Sequence, residues 1–250
     1  MEKNDKKDNV FKSKFAEDYI IFNDMLTRYS VTGIAASCEM LGEFVAKKGT
    51  RNEKRLISNI MSMCCELMKN SELSRVLISP GDDGIWLNSM PANAFFRDFA
   101  VNCEKASAGK CTVTVKECSE RLIRTDLNLL RYLLLGFIRK NALANGAEKS
   151  EFEASCEVTG ENVIIHLAAT GTFVDSENIL RPDIFDKYSD DVAEGIAARL
   201  GAEAKLEENG IHAVIPLAEG KAGAVIESPA AGFEDRMFTP FDLMLSDLPR

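Results

Sequence analysis

The chain has 250 residues, 46% hydrophobic and 28% charged, with a net charge of −9 from 39 acidic and 30 basic side chains. This is ordinary globular composition, enough for one large domain or two small ones. The acidic balance argues against non-specific binding to nucleic acid or to an anionic membrane surface, and the absence of a run of about 18 apolar residues argues against a transmembrane helix.

The chain has seven cysteines and two histidines, and no CxxC pair. No metal site is expected from such spacing. An odd number of cysteines scattered through apolar segments suits reduced, buried thiols in a cytoplasmic protein. Residues 1–14 open on MEKNDKKDN, charged and followed by no apolar run. They read as a disordered, solvated end rather than a secretory signal.

Two helices come next, over residues 15–47 and 53–76. In the first, Phe15, Tyr19, Phe22 and Leu26 make one apolar row, and Ile34, Cys38, Leu41 and Val45 a second, offset row. Gly33 between them allows a bend. Lys47-Lys48-Gly49 is a stop signal, and Thr50 with Glu53 fits a capping box for the next helix. There Leu56, Ile60, Met63 and Leu67 form one stripe, with Ile57, Met61, Cys64 and Met68 beside it. Two helices with a short loop make an antiparallel hairpin, residues 15–78. A hairpin buries one stripe per helix and these carry two. The surplus calls for a second copy and a dimeric four-helix bundle; the alternative is packing on the rest of the chain.

Ser79 to Gly84 is dense in breakers, so residues 79–90 read as a linker that includes Trp86, the only tryptophan. A second domain, residues 91–217, follows. Residues 91–107 read as a helix with Phe95, Phe96, Phe99 and Cys103 on its apolar side, and 111–116 as a strand. Residues 122–146 read as one long core helix, with Leu127, Leu130, Leu134 and Phe137 at helical spacing, Asp126 capping its first turn and Asn145-Gly146 ending it. Residues 151–158 and 162–168 alternate as strands around the turn Thr159 to Asn162. A helix near Pro182 carries Ile184, Val192, Ile196 and Leu200 and ends at Gly201. Strands 203–207 and 211–217 meet at Glu208-Asn209-Gly210. The fold class is α+β, helices on one face of a sheet. The tail, residues 218–250, contains RMFTPFDLMLSDL. It reads as apolar residues docked on their own domain, the sharper alternative being a linear motif, Met237 to Leu245, for a partner groove.

A helical hairpin, then helix, strand, long helix, two strands, helix and two strands resembles the plan of sensor histidine kinases. Ile34-Ala35-Ala36-Ser37-Cys38-Glu39-Met40-Leu41, residues 128–142, residues 183–206 and the strand from His212 are similar to the corresponding parts of ChpT-type histidine phosphotransferases, over about residues 18–217. The resemblance implies a hairpin that dimerises, joined to a degenerate ATPase-like α/β sandwich. The kinases of that plan hold Mg–ATP with an asparagine on the central helix, an Asp-x-Gly-x-Gly turn and a glycine-rich lid. Here Lys140 takes the asparagine's place, with Asn141 one step on. The turn reads Ala169-Thr170-Gly171-Thr172-Phe173, and the lid region Ser189-Asp190-Asp191-Val192 has two carboxylates and no glycine. No nucleotide cofactor is expected.

The same resemblance places the phospho-accepting histidine at Met25, whose thioether cannot form a phosphoramidate; no histidine lies in the hairpin. No catalytic residue is therefore assigned. The resemblance implies a cytoplasmic homodimer that docks response-regulator receiver domains through the upper hairpin: Asp24, Met25, Arg28, Tyr29 and Thr32. The alternatives are an active phosphotransferase with a non-standard acceptor such as His166, His212 or Asp24, a nucleotide-binding ATPase of the same fold, and a structural dimerisation protein.

Overall fold

The computed structural model describes residues 2–78, 87–146, 148–170, 190–207, 209–216, 238–246 and 248, without the side chains of 2–21, 73–78, 87, 124, 190 and 191. They fall into two compact units, Met1–Asp83 and Gly84–Arg250.

The first unit is the hairpin: α1, Glu2–Lys48, and α2, Arg51–Ile78. Helix α1 begins well before residue 15. Residues 2–14 hold no glycine or proline to break it, so where a solvated, disordered end was expected the helix continues. Gly49 closes α1, its N–H donating to Val45 O at 2.7 Å. A Cβ at Gly49 would lie 2.3 Å from Val45 Cγ1, so only glycine fits there. The expected capping box is present. Glu53 Oε2 accepts from Thr50 N at 2.6 Å and Thr50 Oγ1 at 2.9 Å, and Glu53 N donates back to Thr50 Oγ1 at 3.4 Å. These bonds hold the Glu53 carboxyl below its usual range.

The second unit begins with β1, Leu87–Pro91, which overlaps residues 87–90 of the stretch expected to be linker; Trp86 and Ser79 to Gly84 lie outside the described residues. Helix α3, Ala92–Ala106, follows from Pro91. The first N–H groups of α3 are satisfied from a distant loop, Ala92 N by Arg121 O and Asn93 N by Ser119 O. Then come β2, Cys111–Cys118, and β3, Leu122–Asp126. The expected long helix therefore loses its first five residues to a strand that pairs antiparallel with β1. Two physical reasons account for this. Ile123 and Thr125, two apart and β-branched, are both buried. Asp126, extended at φ −74° and ψ 105°, accepts from Asn128 N and Leu129 N, and a capping residue stands outside its helix. Helix α4 is Leu127–Ala144.

Strands β4, Ser150–Thr159, and β5, Asn162–Ala169, form the expected hairpin. The expected residues Pro182 and Ile184 lie outside the described residues; α5, Asp190–Arg199, is the part of that helix described. It ends at Gly201, which takes the left-handed φ of 62°. Strands β6, Glu203–Glu207, and β7, Gly210–Pro216, complete the sheet. Its order is β2-β4-β5-β7-β6, with β2 parallel to β4 and the other pairs antiparallel. The parallel pair needs a crossover, and α4 lies in it.

One face of this sheet is apolar: Phe152, Ala154 and Cys156 on β4, Val163, Ile165 and Leu167 on β5, and Ile211, Ala213 and Ile215 on β7 are all buried. Helix α4 supplies Leu130, Leu133, Leu134, Phe137 and Ile138 to the same core. Phe137 and Phe152 meet edge to face, ring centroids 6.2 Å apart. The α+β class follows from this single helical layer.

The described part of the tail packs on its own unit. Helix α6, Pro240–Leu245, packs on α3 and α4, and Phe238, Phe241, Leu243, Met244, Leu245 and Leu248 are buried. Thr239 and Asp242 form a second capping box. Phe241 lies 5.4 Å from Phe99, and the Arg131 guanidinium sits 5.8 and 5.9 Å from the Phe95 and Phe241 rings. Buried Arg139 donates through Nη1 to Met244 O at 2.7 Å. No helix of the described residues is long and apolar enough to cross a membrane.

Candidate functional site

The inner face of the hairpin is narrow. Val31, Ala35 and Cys38 of α1, spaced four and three, are buried, as are Cys64 and Met68 of α2. Small residues at Ala35 and Cys38 allow close approach of the two helices. Burial, then the neighbouring Cys38, pushes the Cys64 thiol up. Of the two α2 stripes, Ile57-Met61-Cys64-Met68 turns inward; Leu56-Ile60-Met63-Leu67 stays exposed.

Above this apolar section lies a polar lock. Arg28 Nε donates to Asp24 Oδ2 at 2.8 Å and Arg28 Nη1 donates to Glu72 Oε1; Ser71 Oγ donates to the other Asp24 oxygen. Burial alone opposes the Arg28 charge. The hydrogen bond and charge of Glu72, then those of Asp24, outweigh it and raise its pKa. Arg28 Nη2 is buried without a hydrogen-bond partner among the described residues.

The five residues expected to make one docking face are thus divided. Asp24 and Arg28 join α1 to α2 within the hairpin. Thr32 is half-buried. Met25 and Tyr29, one turn apart, point to solvent at 62% and 82% exposure. They continue into Phe22, Leu26, Ile34, Met40, Leu41 and Phe44, all exposed. Sequence reasoning missed Ser71 and Glu72. Nothing local marks them, because their role depends on the register between two helices.

In the second unit, Lys140 is half-buried on α4. Asn141 is turned inward, its Nδ2 donating to Phe137 O of its own helix at 2.8 Å. Ala169 ends β5, its N–H donating to Asn209 O, and Thr170 is tied to Glu151 O through both N and Oγ1. At the two positions that the resemblance assigns to an adenine-binding carboxylate and a metal-binding asparagine, the chain thus carries the methyl group of Ala169 and the ammonium of Lys140. Residues 171–173 and 189 lie outside the described residues. No cluster of three or more His, Cys, Asp or Glu among the described residues could hold a metal ion.

No protein-family model and no curated protein matches the sequence. Solved structures do. The chain is similar to full-length ShkA, solved in complex with AMPPNP, at 13% identity and a TM-score of 0.56, over 82% of this chain and 47% of that one. It spans about half of ShkA, and the likeness is one of fold. Looser likenesses are to the Acinetobacter baumannii histidine kinase AdeS (13% identity, 77% of this chain, 97% of that one, TM-score 0.47) and to histidine kinase ThkA in complex with the response regulator TrrA (16%, 82% and 66%, TM-score 0.44).

Proposed function

We propose that this chain is a non-catalytic, histidine-phosphotransferase-like adaptor of two-component signalling, a homodimer that docks response-regulator receiver domains. The observation that carries the reading is the uncovered apolar surface of the hairpin. Leu56, Ile60, Met63 and Leu67 of α2 follow four-three-four spacing, and Phe22, Leu26, Tyr29, Met40 and Phe44 of α1 lie outside the inner row. Such a surface exceeds what a soluble monomer leaves scattered. A second copy of the same hairpin offers matching stripes and closes a four-helix bundle. The end of the hairpin nearest Met25 and Tyr29 then presents an aromatic and a methionine, side chains suited to an interface.

Phosphate transfer is left out for a chemical reason. The resemblance aligns Met25 with the accepting histidine, and a thioether cannot carry the group. The misfit of Lys140 and Ala169 removes nucleotide chemistry in the same way.

Sedimentation and a receiver-domain pull-down test both halves. The wild type should sediment as a dimer, and Ile60→Glu with Met63→Glu should give a monomer. Met25→Ala with Tyr29→Ala should remain dimeric but recover less receiver domain. A monomeric wild type overturns the dimer. A dimer that recovers no receiver domain leaves a structural dimerisation protein instead. Arg28→Ala is a poor probe of docking, because it also opens the hairpin lock.

A further inference from the structure

The chain has only two histidines, and the fold makes them neighbours. His166 of β5 and His212 of β7 are direct cross-strand partners. Their rings stand edge to face with centroids 6.4 Å apart. Both are half-buried, on the sheet face opposite the Val163-Ile165-Leu167 and Ile211-Ala213-Ile215 rows. No described residue offers either ring a hydrogen bond.

Their surroundings select the sign of a ligand. The same row holds Ser155 of β4, opposite His166, and Lys205 of β6, opposite His212. The row on one side carries Glu157 and Glu203; the row on the other carries Glu153 and Glu207. Four carboxylates thus stand against Lys205 and Lys116, the latter paired with Glu153 at 3.0 Å. This patch favours a cation over phosphate or another anion. The His166 ring leans over Gly210, where an added Cβ would lie 3.3 Å from Nε2. Glycine there leaves that nitrogen clear, and Gly210 is the cross-strand partner of Glu207.

We infer that His166 and His212 form a two-imidazole site for a borderline divalent transition-metal ion such as Ni²⁺, with water in the remaining positions. Neutral imidazole is a good ligand for Ni²⁺, Cu²⁺ and Zn²⁺. Metal–nitrogen bonds of about 2.0–2.1 Å, as for zinc, require the two rings to turn a nitrogen each towards a shared point. The bound ion clips β5 to β7. Local spacing in the sequence could not reveal the pair; antiparallel register creates it.

Calorimetry of the untagged, reduced full-length chain with NiCl₂ tests the site. One Ni²⁺ should bind per chain. His166→Gln and His212→Gln should each weaken binding at least tenfold, and Gly210→Ala should weaken it with both imidazoles present. Amide NMR of the wild type should show paramagnetic broadening centred on β5 and β7, independently of whether any variant folds. No binding up to millimolar Ni²⁺, binding indifferent to both histidine substitutions, or broadening centred elsewhere overturns the site.

Discussion

The two units of this chain solve the burial problem differently. The second unit closes its own core: α4 contributes Leu130, Leu133 and Leu134 with no measurable exposure, and the sheet meets them with one apolar face. The hairpin closes only a thin seam of Val31, Ala35, Cys38, Cys64 and Met68, and leaves large apolar side chains outside. A sheet with a helical layer can satisfy itself within one chain. Two helices cannot, because each has more apolar surface than one neighbour can cover. The difference is that the hairpin leaves large apolar side chains uncovered where the second unit buries its own.

Truncating one residue in each unit is the sharpest way to break that comparison. Leu134→Ala should destabilise the second unit by about 2–5 kcal/mol, the range for a buried leucine. Met63→Ala, 62% exposed in the single chain, should change stability by less than about 0.5 kcal/mol if the hairpin stands alone. In a dimeric bundle it should lower stability by clearly more, and in a concentration-dependent way. Denaturant titration at two protein concentrations separates these outcomes.

The tail gives a middle-sized effect. Phe241→Ala removes a buried ring that touches Phe99 and faces the Arg131 guanidinium, and should destabilise the second unit by about 3 kcal/mol. Arg139 also holds Met244 O, so removing residues 238–250 should do at least as much damage as the point substitution. Urea unfolding of both variants checks this order. Equal stability of the truncated and full-length chains would show that the docking adds nothing.

The smallest effect concerns the α2 cap. The folded-state pKa of Glu53 is depressed by its bonds to Thr50. Its contribution is therefore present above the unfolded carboxyl pKa and lost as pH falls through the folded value. Helix α2 should fray slightly at acid pH, and Glu53→Gln should remove that part of the pH dependence. Far-UV circular dichroism between pH 7 and pH 2 measures it.

Much of the fold was legible in the residues, for identifiable reasons. The Thr50–Glu53 box, the Asp126 cap and the Gly201 stop are local chemistry, and each stands where the sequence put it. The strands from β4 to β7 alternate at period two, which shows without knowledge of their neighbours. Strand β3 was missed because most of its partner, β1, lies in a stretch that reads as linker. Which of Asp24, Met25, Arg28, Tyr29 and Thr32 face solvent was not legible: helical spacing fixes which residues share a side of α1, but not which side α2 covers.

By itself, then, the sequence determined the local signals: where helices begin and end, which strands have two faces, and that the hairpin carries two apolar stripes per helix. The tertiary structure alone decided which stripe is inside, that Asp24 and Arg28 reach Ser71 and Glu72, that α6 packs on α3 and α4, and that His166 and His212 stand side by side. Caps and periodicity act within a few residues of chain. Register and packing join residues far apart, and only the closed core sets them.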